Sequence, residues 1–385
     1  MKVFICGGGS GEQTQRALHR LNEVISHDLP CLYIPLAMEE EQYDSCYEWI
    51  TGELRSVEIP GIEMIRSAEE LARKRLTDYS FLFIGGGNTF KLLNDIKRVN
   101  MFEPIREYLQ NGGTVFGGSA GAIIFGENLE SCALDDDNEV SLKDTKGFDV
   151  LNGISFLCHF TNRTPEQDQR SEEYLLRISH SRKIYALPEE DTLFLNENYL
   201  EEIIDRPYFI FENHQKTEVM PGNHRYVCKI ATPEEMDQKW DYEIRQHPGE
   251  KNWIVWKGEA IESAREGLSI PYYGILDGTV ICEATAVLNP DFEHACEKSD
   301  HMVELCAFRT NKEYRRKGYF SKLMGFTLKD LKRMSFEKAI VGVEPDETLN
   351  KEIYRHWGFR ELIHNGTETY PDGTVINVEF YAKRL

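Results

Sequence analysis

A glycine-flanked serine at residues 117–121 (Gly-Gly-Ser-Ala-Gly) constrains the fold of this chain more than any other segment. It follows the apolar run Thr114–Phe116 and leads into a second apolar run at Ala120–Ile124. This sequence predicts a buried strand, a sharp turn and a buried helix, because only small residues fit around such a turn. A turn of this kind, a nucleophile elbow, would lift the hydroxyl of Ser119 above the sheet edge. The alternative is a plain strand-to-helix connection whose serine has no catalytic role.

From residue 1 to about residue 200, short apolar strands alternate with helical stretches. This alternation is typical of an α/β fold with a mainly parallel sheet covered by helices on both faces. The predicted strands are Val3–Cys6, Cys31–Pro35, Phe81–Ile84, Thr114–Phe116 and Ile184–Leu187. Glycines follow the third and the fourth of them. Since ligands bind where the carboxyl ends of strands meet, these two ends predict one shared crevice.

The pattern changes near residue 222, and we predict two domains, 1–222 and 223–385. A chain of 385 residues exceeds what one hydrophobic core usually serves. In the second part, Thr232 precedes Pro233 and two glutamates, which predicts a capped helix start. The second domain is predicted as a mixed α/β fold whose strands are Tyr226–Ile230, Tyr272–Leu276, Thr279–Val287, Val303–Thr310 and Ala339–Val343, ending in a hairpin with its turn at Tyr370–Thr374.

Charge and cysteine content restrict the partners and the compartment. The net charge of -21 argues against binding nucleic acid or an anionic membrane, and favours small molecules or peptides. Nine cysteines without a Cys-x-x-Cys pair indicate reduced core residues of a cytoplasmic protein, and no metal site is predicted. The first apolar run, Val3–Cys6, is too short for a signal sequence or a membrane span. The oligomeric state stays open, a homodimer included.

Downstream of the elbow, the sequence offers a base and acids for a serine nucleophile. His159 ends the apolar segment Phe156–Cys158, and Glu189, Glu190 and Asp191 follow a predicted strand. Acyl transfer by a serine needs a base that takes its proton, an acid that orients the base, and amides for the oxyanion. Taken alone, the histidine could be structural and the acids a solvated loop.

Together these segments resemble the dipeptidase E and cyanophycinase family of serine peptidases over residues 1–222. The matching motifs are Gly85–Phe90, Gly117–Gly121, His159–Asn162 and Leu187–Glu189. The resemblance implies a sheet sandwiched by helices, similar to class I glutamine amidotransferases. It also implies that Ser119 is the nucleophile and His159 the general base, with the amides of Gly86, Gly87 and Ala120 as the oxyanion hole.

The resemblance leaves two positions for the third triad member. Glu189 follows an apolar strand, whereas Asp135 lies in the acidic run Asp135–Glu139, so Glu189 is the favoured orienter of the histidine.

The resemblance also implies cleavage after an N-terminal aspartate or at β-aspartyl links. Such substrates need a cation near their carboxylate. Arg163 and Arg170 lie shortly after the histidine and could supply it, or could be surface arginines. Asn88, in the first matching motif, is a further candidate for substrate binding.

In the second domain, residues 313–323 join the strand that ends at Thr310 to an apolar-periodic helix that runs to about Met334. Backbone N–H groups at a helix N-terminus can hold a pyrophosphate, and Gly318 permits close approach. Further on, Asn350 and Tyr354 share one helix face, being four residues apart. The alternatives are an ordinary basic helix cap and a tyrosine that only packs.

These features resemble the GNAT family of N-acetyltransferases over residues 225–385. The resemblance implies acetyl-CoA as cofactor and an amine as acetyl acceptor. Glu304 is the candidate base, and Tyr354 would protonate the departing thiolate. Phe320 departs from the family signature, which usually has glycine or alanine there. The residues implied in cofactor binding are Phe308, Thr310, Arg315, Arg316, Lys317, Gly318, Tyr319, Phe320, Ser321 and Asn350.

Two functional hypotheses follow. The first is a bifunctional enzyme that hydrolyses small, aspartyl-type dipeptides and acetylates an amine. The second is an acetyltransferase whose peptidase-like half binds a ligand without turnover.

Overall fold

The computed structural model describes residues 1–196, 199–288, 301–315 and 317–385. The chain divides into two compact units, Met1–Arg225 and Tyr226–Leu385. The division falls close to residue 222, where the sequence pattern changes.

Unit 1 alternates strands and helices as the sequence predicts. Its strands are β1 (Lys2–Cys6), β2 (Cys31–Ile34), β3 (Ile62–Met64), β4 (Phe81–Ile84), β5 (Thr114–Gly118), β6 (Ile154–Leu157), β7 (Lys183–Ala186), β8 (Thr192–Asn196), β9 (Tyr199–Ile204), β10 (Tyr208–Glu212) and β11 (Gln215–Val219). Its helices are α1 (Gln15–Val24), α2 (Tyr43–Glu53), α3 (Ala68–Leu71), α4 (Thr89–Arg98), α5 (Phe102–Gln110), α6 (Ala120–Ile123) and α7 (Pro165–Ile178).

The main sheet of unit 1 has the strand order β3-β2-β4-β5-β1-β8-β9. Strands β3 to β1 in that order are parallel, whereas β8 and β9 run antiparallel. Every residue of β2 and β4 is buried, as expected of strands covered on both faces. The carboxyl ends of β4, β5 and β1 therefore lie side by side at one edge of the sheet.

A second sheet of unit 1 has the order β11-β10-β7-β6. The predicted strand Ile184–Leu187 corresponds to β7 and lies in this sheet, so its assignment to the main parallel sheet was wrong. The reason is that β1 pairs with β5 on one side and with the antiparallel β8 on the other, which leaves no edge of β1 for β7.

Unit 2 is built on a mostly antiparallel sheet. Its strands are β12 (Gly222–Ile230), β13 (Ser269–Leu276), β14 (Thr279–Leu288), β15 (Met302–Thr310), β16 (Lys338–Val343), β17 (Glu361–Thr369) and β18 (Val375–Arg384). Its helices are α8 (Pro233–Gln246), α9 (Asn252–Arg265), α10 (Tyr319–Arg333) and α11 (Thr348–His356). The predicted helix start at Thr232 is present as a capping box with Glu235. Helix α9 was not predicted from the sequence.

Strand β15 is bulged, and the bulge positions the site of unit 2. Ala307 has a φ of 54°, and the register of β15 against β14 shifts at this point. The parallel pairing of β15 with β16 ends at Leu305 and Val341. Beyond this pair the two strands separate, and the residues that follow Leu305 border a cavity.

The described cysteines form no disulfide, and all but Cys306 are buried, which agrees with their predicted role in the core. Across the described residues, no helix has the length and apolar content that crossing a membrane requires.

Candidate active sites

The serine elbow has the geometry that its sequence predicts. Ser119 adopts φ 52° and ψ -117°, a conformation that L-residues rarely occupy and that costs about 1–3 kcal/mol. A Cβ added at Gly117 would lie 2.3 Å from the carbonyl oxygen of Gly121, and one added at Gly121 would lie 2.1 Å from that of Ile84. The two glycines therefore let the strand, the turn and the helix approach each other.

Three side chains form a hydrogen-bonded chain at this elbow. The Ser119 Oγ lies 2.8 Å from the Nε2 of His159, and the Nδ1 of that ring lies 2.9 Å from the Oε1 of Glu189. The other carboxylate oxygen accepts a hydrogen bond of 3.1 Å from the Nε2 of Gln13. Asn162 accepts a hydrogen bond from the backbone N–H of Glu189 at 2.9 Å. This arrangement can pass the serine proton to the imidazole while the carboxylate fixes the ring.

The glycine run after β1 positions the histidine. The N–H of His159 donates to the carbonyl of Gly7 at 2.9 Å, with the histidine backbone at φ 60°. A Cβ at Gly8 would lie 2.4 Å from the imidazole. Gln13 and these glycines were not predicted as site residues, although three consecutive glycines after a predicted strand are a signal of close backbone approach.

The predicted oxyanion donors lie beside the serine. A Cβ at Gly86 would lie 3.1 Å from the Cβ of Ser119, and Gly87 has a φ of +128°. Among the described residues, the N–H groups of Gly86, Gly87 and Ala120 donate no hydrogen bond to a loop carbonyl. These three amides are therefore available to a substrate oxygen.

A cavity of about 440 Å³ opens at the serine hydroxyl. It is bordered by Ser119 and His159 and extends along the aromatic side chains of Tyr33, Trp49 and Phe83. Its size suits a small substrate.

Asp135 is engaged elsewhere. Its carboxylate forms an ion pair with Arg163, which also donates to the carbonyl of Cys158 at 3.3 Å. The acid that contacts His159 is Glu189, so the structure brings only this one of the two candidate acids to the imidazole.

The three predicted substrate-binding side chains do not border the cavity. Arg163 is paired with the acid just described, and Arg170 is exposed on α7. Asn88 caps α4, accepting from the N–H of Lys91 at 2.9 Å and donating to the carbonyl of Asp137 at 2.8 Å. The structure therefore does not bring them together with Ser119.

In unit 2, the start of α10 has the form expected of an anion-binding loop. Gly318 is left-handed, with φ 80°, and directly precedes the helix that begins at Tyr319. The first N–H groups of a helix have no partner within it, so those of Tyr319, Phe320 and Ser321 face the loop side. Arg316 lies outside the described residues.

The cations and polar groups around this loop have partners of their own. The Nε of Arg315 donates to the carbonyl of Thr310 at 2.9 Å, and the ammonium of Lys317 lies 5.5 Å from the Tyr314 ring. Asn350 donates to the Oε2 of Glu347 at 2.9 Å, and thus stabilises the first turn of α11.

Phe320 packs into an aromatic cluster. Its ring centroid lies 5.5 Å from that of Phe308 and 5.2 Å from that of Trp357, and Phe308 lies 5.7 Å from Tyr354. The phenylalanine that departs from the family signature is thus accommodated by edge-on and tilted ring contacts, with its side chain on the first turn of α10.

A cavity of about 260 Å³ lies where β15 and β16 separate. Burial, and secondly the charge of Glu368, raise the pKa of Glu304 to about 7. Burial raises the pKa of Tyr354 to about 12. Both predicted proton-transfer groups border this cavity, together with Glu344 and Glu347. Among the described residues, no group of three potential ligands is placed to hold a metal ion.

Comparisons with known proteins agree with this division. The model of the family described as Peptidase family S51 matches residues 3–203, just over half of the chain, and that of the Acetyltransferase (GNAT) family matches residues 229–359. The Peptidase E proteins of Shigella flexneri and Escherichia coli are each 25% identical over 222 residues, covering 55% of this chain and 93% of theirs.

Two solved structures are among the similar chains. A peptidase from an acI-B1 Actinobacterium is 17% identical with a TM-score of 0.45, covering 57% of this chain and 94% of its own. An N-acetyltransferase from Staphylococcus aureus Mu50 is 12% identical with a TM-score of 0.33, covering 41% of this chain and 98% of its own. The chain belongs to peptidase family S51 through its N-terminal domain and carries a GNAT-family acetyltransferase domain at its C-terminus.

Proposed function

We propose that this protein is a bifunctional enzyme that hydrolyses small peptides in unit 1 and acetylates an amine in unit 2. The observation that carries the first activity is the hydrogen-bonded chain from Ser119 through His159 to Glu189. A structural serine would not need a histidine within hydrogen-bond distance that is itself held by a carboxylate.

In the proposed hydrolysis, the Oγ of Ser119 attacks the peptide carbonyl carbon while the Nε2 of His159 takes its proton. The carbonyl oxygen becomes an oxyanion that the amides of Gly86, Gly87 and Ala120 stabilise. The imidazolium, held by Glu189, then protonates the leaving amine as the C–N bond breaks. A water molecule, activated by the same imidazole, hydrolyses the acyl-enzyme and restores the serine.

Active-site labelling tests this activity. A fluorophosphonate should modify the wild-type protein at Ser119, and Ser119→Ala should lose both the labelling and the hydrolysis of a dipeptide panel. Unchanged hydrolysis in the alanine variant would contradict the assignment. Ligand binding without labelling or turnover would instead support a binding module, the competing role for unit 1.

Unit 2 has two features that suit acetyl-CoA. The left-handed Gly318 and the first N–H groups of α10 form a cradle suited to a pyrophosphate, and Phe308 borders the cavity beside it. When bound, acetyl-CoA would supply a thioester-linked acetyl group to this cavity. Glu304 would accept a proton from the acceptor amine, and the Oη of Tyr354 holds a proton that it can donate.

Thermal stability with and without acetyl-CoA tests the cradle. The ligand should raise the melting temperature of the wild-type protein, and Arg315→Glu should reduce this shift. Lys332→Glu is the matched control, because it makes the same charge reversal in the last turn of α10, at the end of the helix opposite the loop. An equal shift in all three proteins, or none in the wild type, would contradict the assigned cofactor site. A cytoplasmic location stays a prediction from the sequence.

A further inference from the structure

The wall of the unit 1 cavity carries an unexpected charge. Among the described residues that border it, Glu53 is the only carboxylate, and none is a lysine or an arginine. The remaining wall away from the serine is largely aromatic, with Tyr33, Trp49 and Phe83. This is the opposite of what an acidic substrate side chain requires, namely a cation.

Glu53 is held firmly in place. It is the last residue of α2 and is only 9% exposed. Its Oε2 accepts a hydrogen bond from the N–H of Gly11 at 2.9 Å, and its Oε1 accepts one from the hydroxyl of Thr14. With both oxygens fixed, the negative charge cannot turn away from a ligand in the cavity.

The basic side chains near the cavity are already engaged. The ammonium of Lys91 donates to the carbonyls of Leu36 and Met38, at 2.8 and 3.0 Å, and lies 3.6 Å from Asp95. Arg163 is paired with Asp135. Neither borders the cavity, so neither offsets the charge of Glu53 there.

We propose that Glu53 determines the specificity of unit 1, so that the residue on the acyl side of the cleaved bond is apolar or aromatic and an acidic residue is rejected. The proposal rests on the proposed peptidase activity. An acidic side chain would bring a second negative charge into a small cavity that offers no cation, whereas an apolar one would be buried against the aromatic wall. The specificity thus includes a repulsive element as well as an attractive one.

The test compares dipeptides that differ only in the first residue. Wild-type protein should show a kcat/KM for Phe-Leu at least about tenfold above that for Asp-Leu. Glu53→Gln removes the charge but keeps one oxygen that can accept from the N–H of Gly11, and its amide NH₂ can donate to the hydroxyl oxygen of Thr14. It should raise the value for Asp-Leu more than that for Phe-Leu. Glu48→Gln, an exposed position on the same helix that does not border the cavity, should leave the ratio unchanged.

A second variant, Trp49→Ala, tests the proposal independently in case Glu53→Gln does not fold. Trp49 is 41% exposed and borders the cavity, so Trp49→Ala should lower the value for Phe-Leu more than that for Asp-Leu. A wild-type preference for Asp-Leu, or a ratio that neither variant changes, would overturn the proposal.

Equilibrium binding separates this proposal from the peptidase assignment. In Ser119→Ala, calorimetry should show tighter binding of Phe-Leu than of Asp-Leu, whether or not the wild type turns over. Absent fluorophosphonate labelling with the expected binding order would refute hydrolysis but keep the selectivity of the cavity. Labelling with the reverse binding order would refute the role of Glu53 alone.

Discussion

Glu189 and Gln13 together hold the imidazole of His159 in the orientation that Ser119 requires. The carboxylate contacts the Nδ1 through one oxygen and the glutamine amide through the other. This second bond fixes the carboxylate plane, and therefore the tautomer that leaves Nε2 free to accept the serine proton.

Substitutions can show which of the two candidate acids, Glu189 or Asp135, orients His159. Glu189→Gln should lower kcat by about 10³–10⁴-fold, because an amide does not stabilise the imidazolium and can favour the wrong tautomer. Asp135→Asn should change kcat little, since it removes only a partner of Arg163. Steady-state kinetics of the two variants, with melting temperatures as a check on folding, measures the difference. The reverse ranking would assign the orienting role to Asp135.

The raised pKa of Glu304 predicts how the rate of acetyl transfer depends on pH. Because burial and Glu368 raise its pKa to about 7, the carboxyl is protonated below neutral pH and cannot accept a proton from the amine. Thiol release should therefore increase with pH and level off above about 7. Glu368→Gln should move this midpoint to lower pH, and Glu304→Gln should abolish it. A midpoint that is the same in all three proteins would exclude Glu304 as the base.

Among the elements, the junction of β5 and α6 shows how tightly the first site is built. The glycines at 117 and 121 place backbone against backbone, whereas a Cβ at Gly118 would meet nothing within 4 Å. Close packing thus requires glycine at positions 117 and 121, but not at position 118.

This contrast gives a stability prediction. Gly121→Ala should destabilise unit 1 by about 1–3 kcal/mol or more, because the new methyl group overlaps the backbone of Ile84. Gly118→Ala should be nearly neutral. Chemical denaturation of both variants measures the difference, and equal stabilities would show that the junction relaxes.

The whole molecule joins two α/β units, each with its own cavity. The S51 family match covers most of the first unit. The GNAT match covers α8 to α11 and β13 to β16, but not β17 and β18, which also border the second cavity. The contacts of the triad all lie within residues 1–225, and those of the acetyl-transfer cavity within residues 226–385. The chemistry proposed for each unit therefore uses residues of that unit alone.

Local sequence was sufficient for much of this organisation. The elbow at 117–121, the capped helix at Thr232 and the hairpin turn at Tyr370–Thr374 depend on residues that are neighbours in the chain, so their residue types predict them. Strand β7 shows the limit, since its own residues predict a strand but not the sheet that it joins.

By itself, the sequence determined the two-domain α/β architecture, the strained serine turn and the candidates for a base and an acid. Only the tertiary structure decided that Glu189 contacts His159 while Asp135 pairs with Arg163, and that Glu53 borders the cavity. The physical reason is how far apart in the chain the interacting residues lie. Turns and caps are set by steric and hydrogen-bonding preferences over a few residues. The charge of a cavity instead depends on side chains that are far apart in the chain and that only folding brings together.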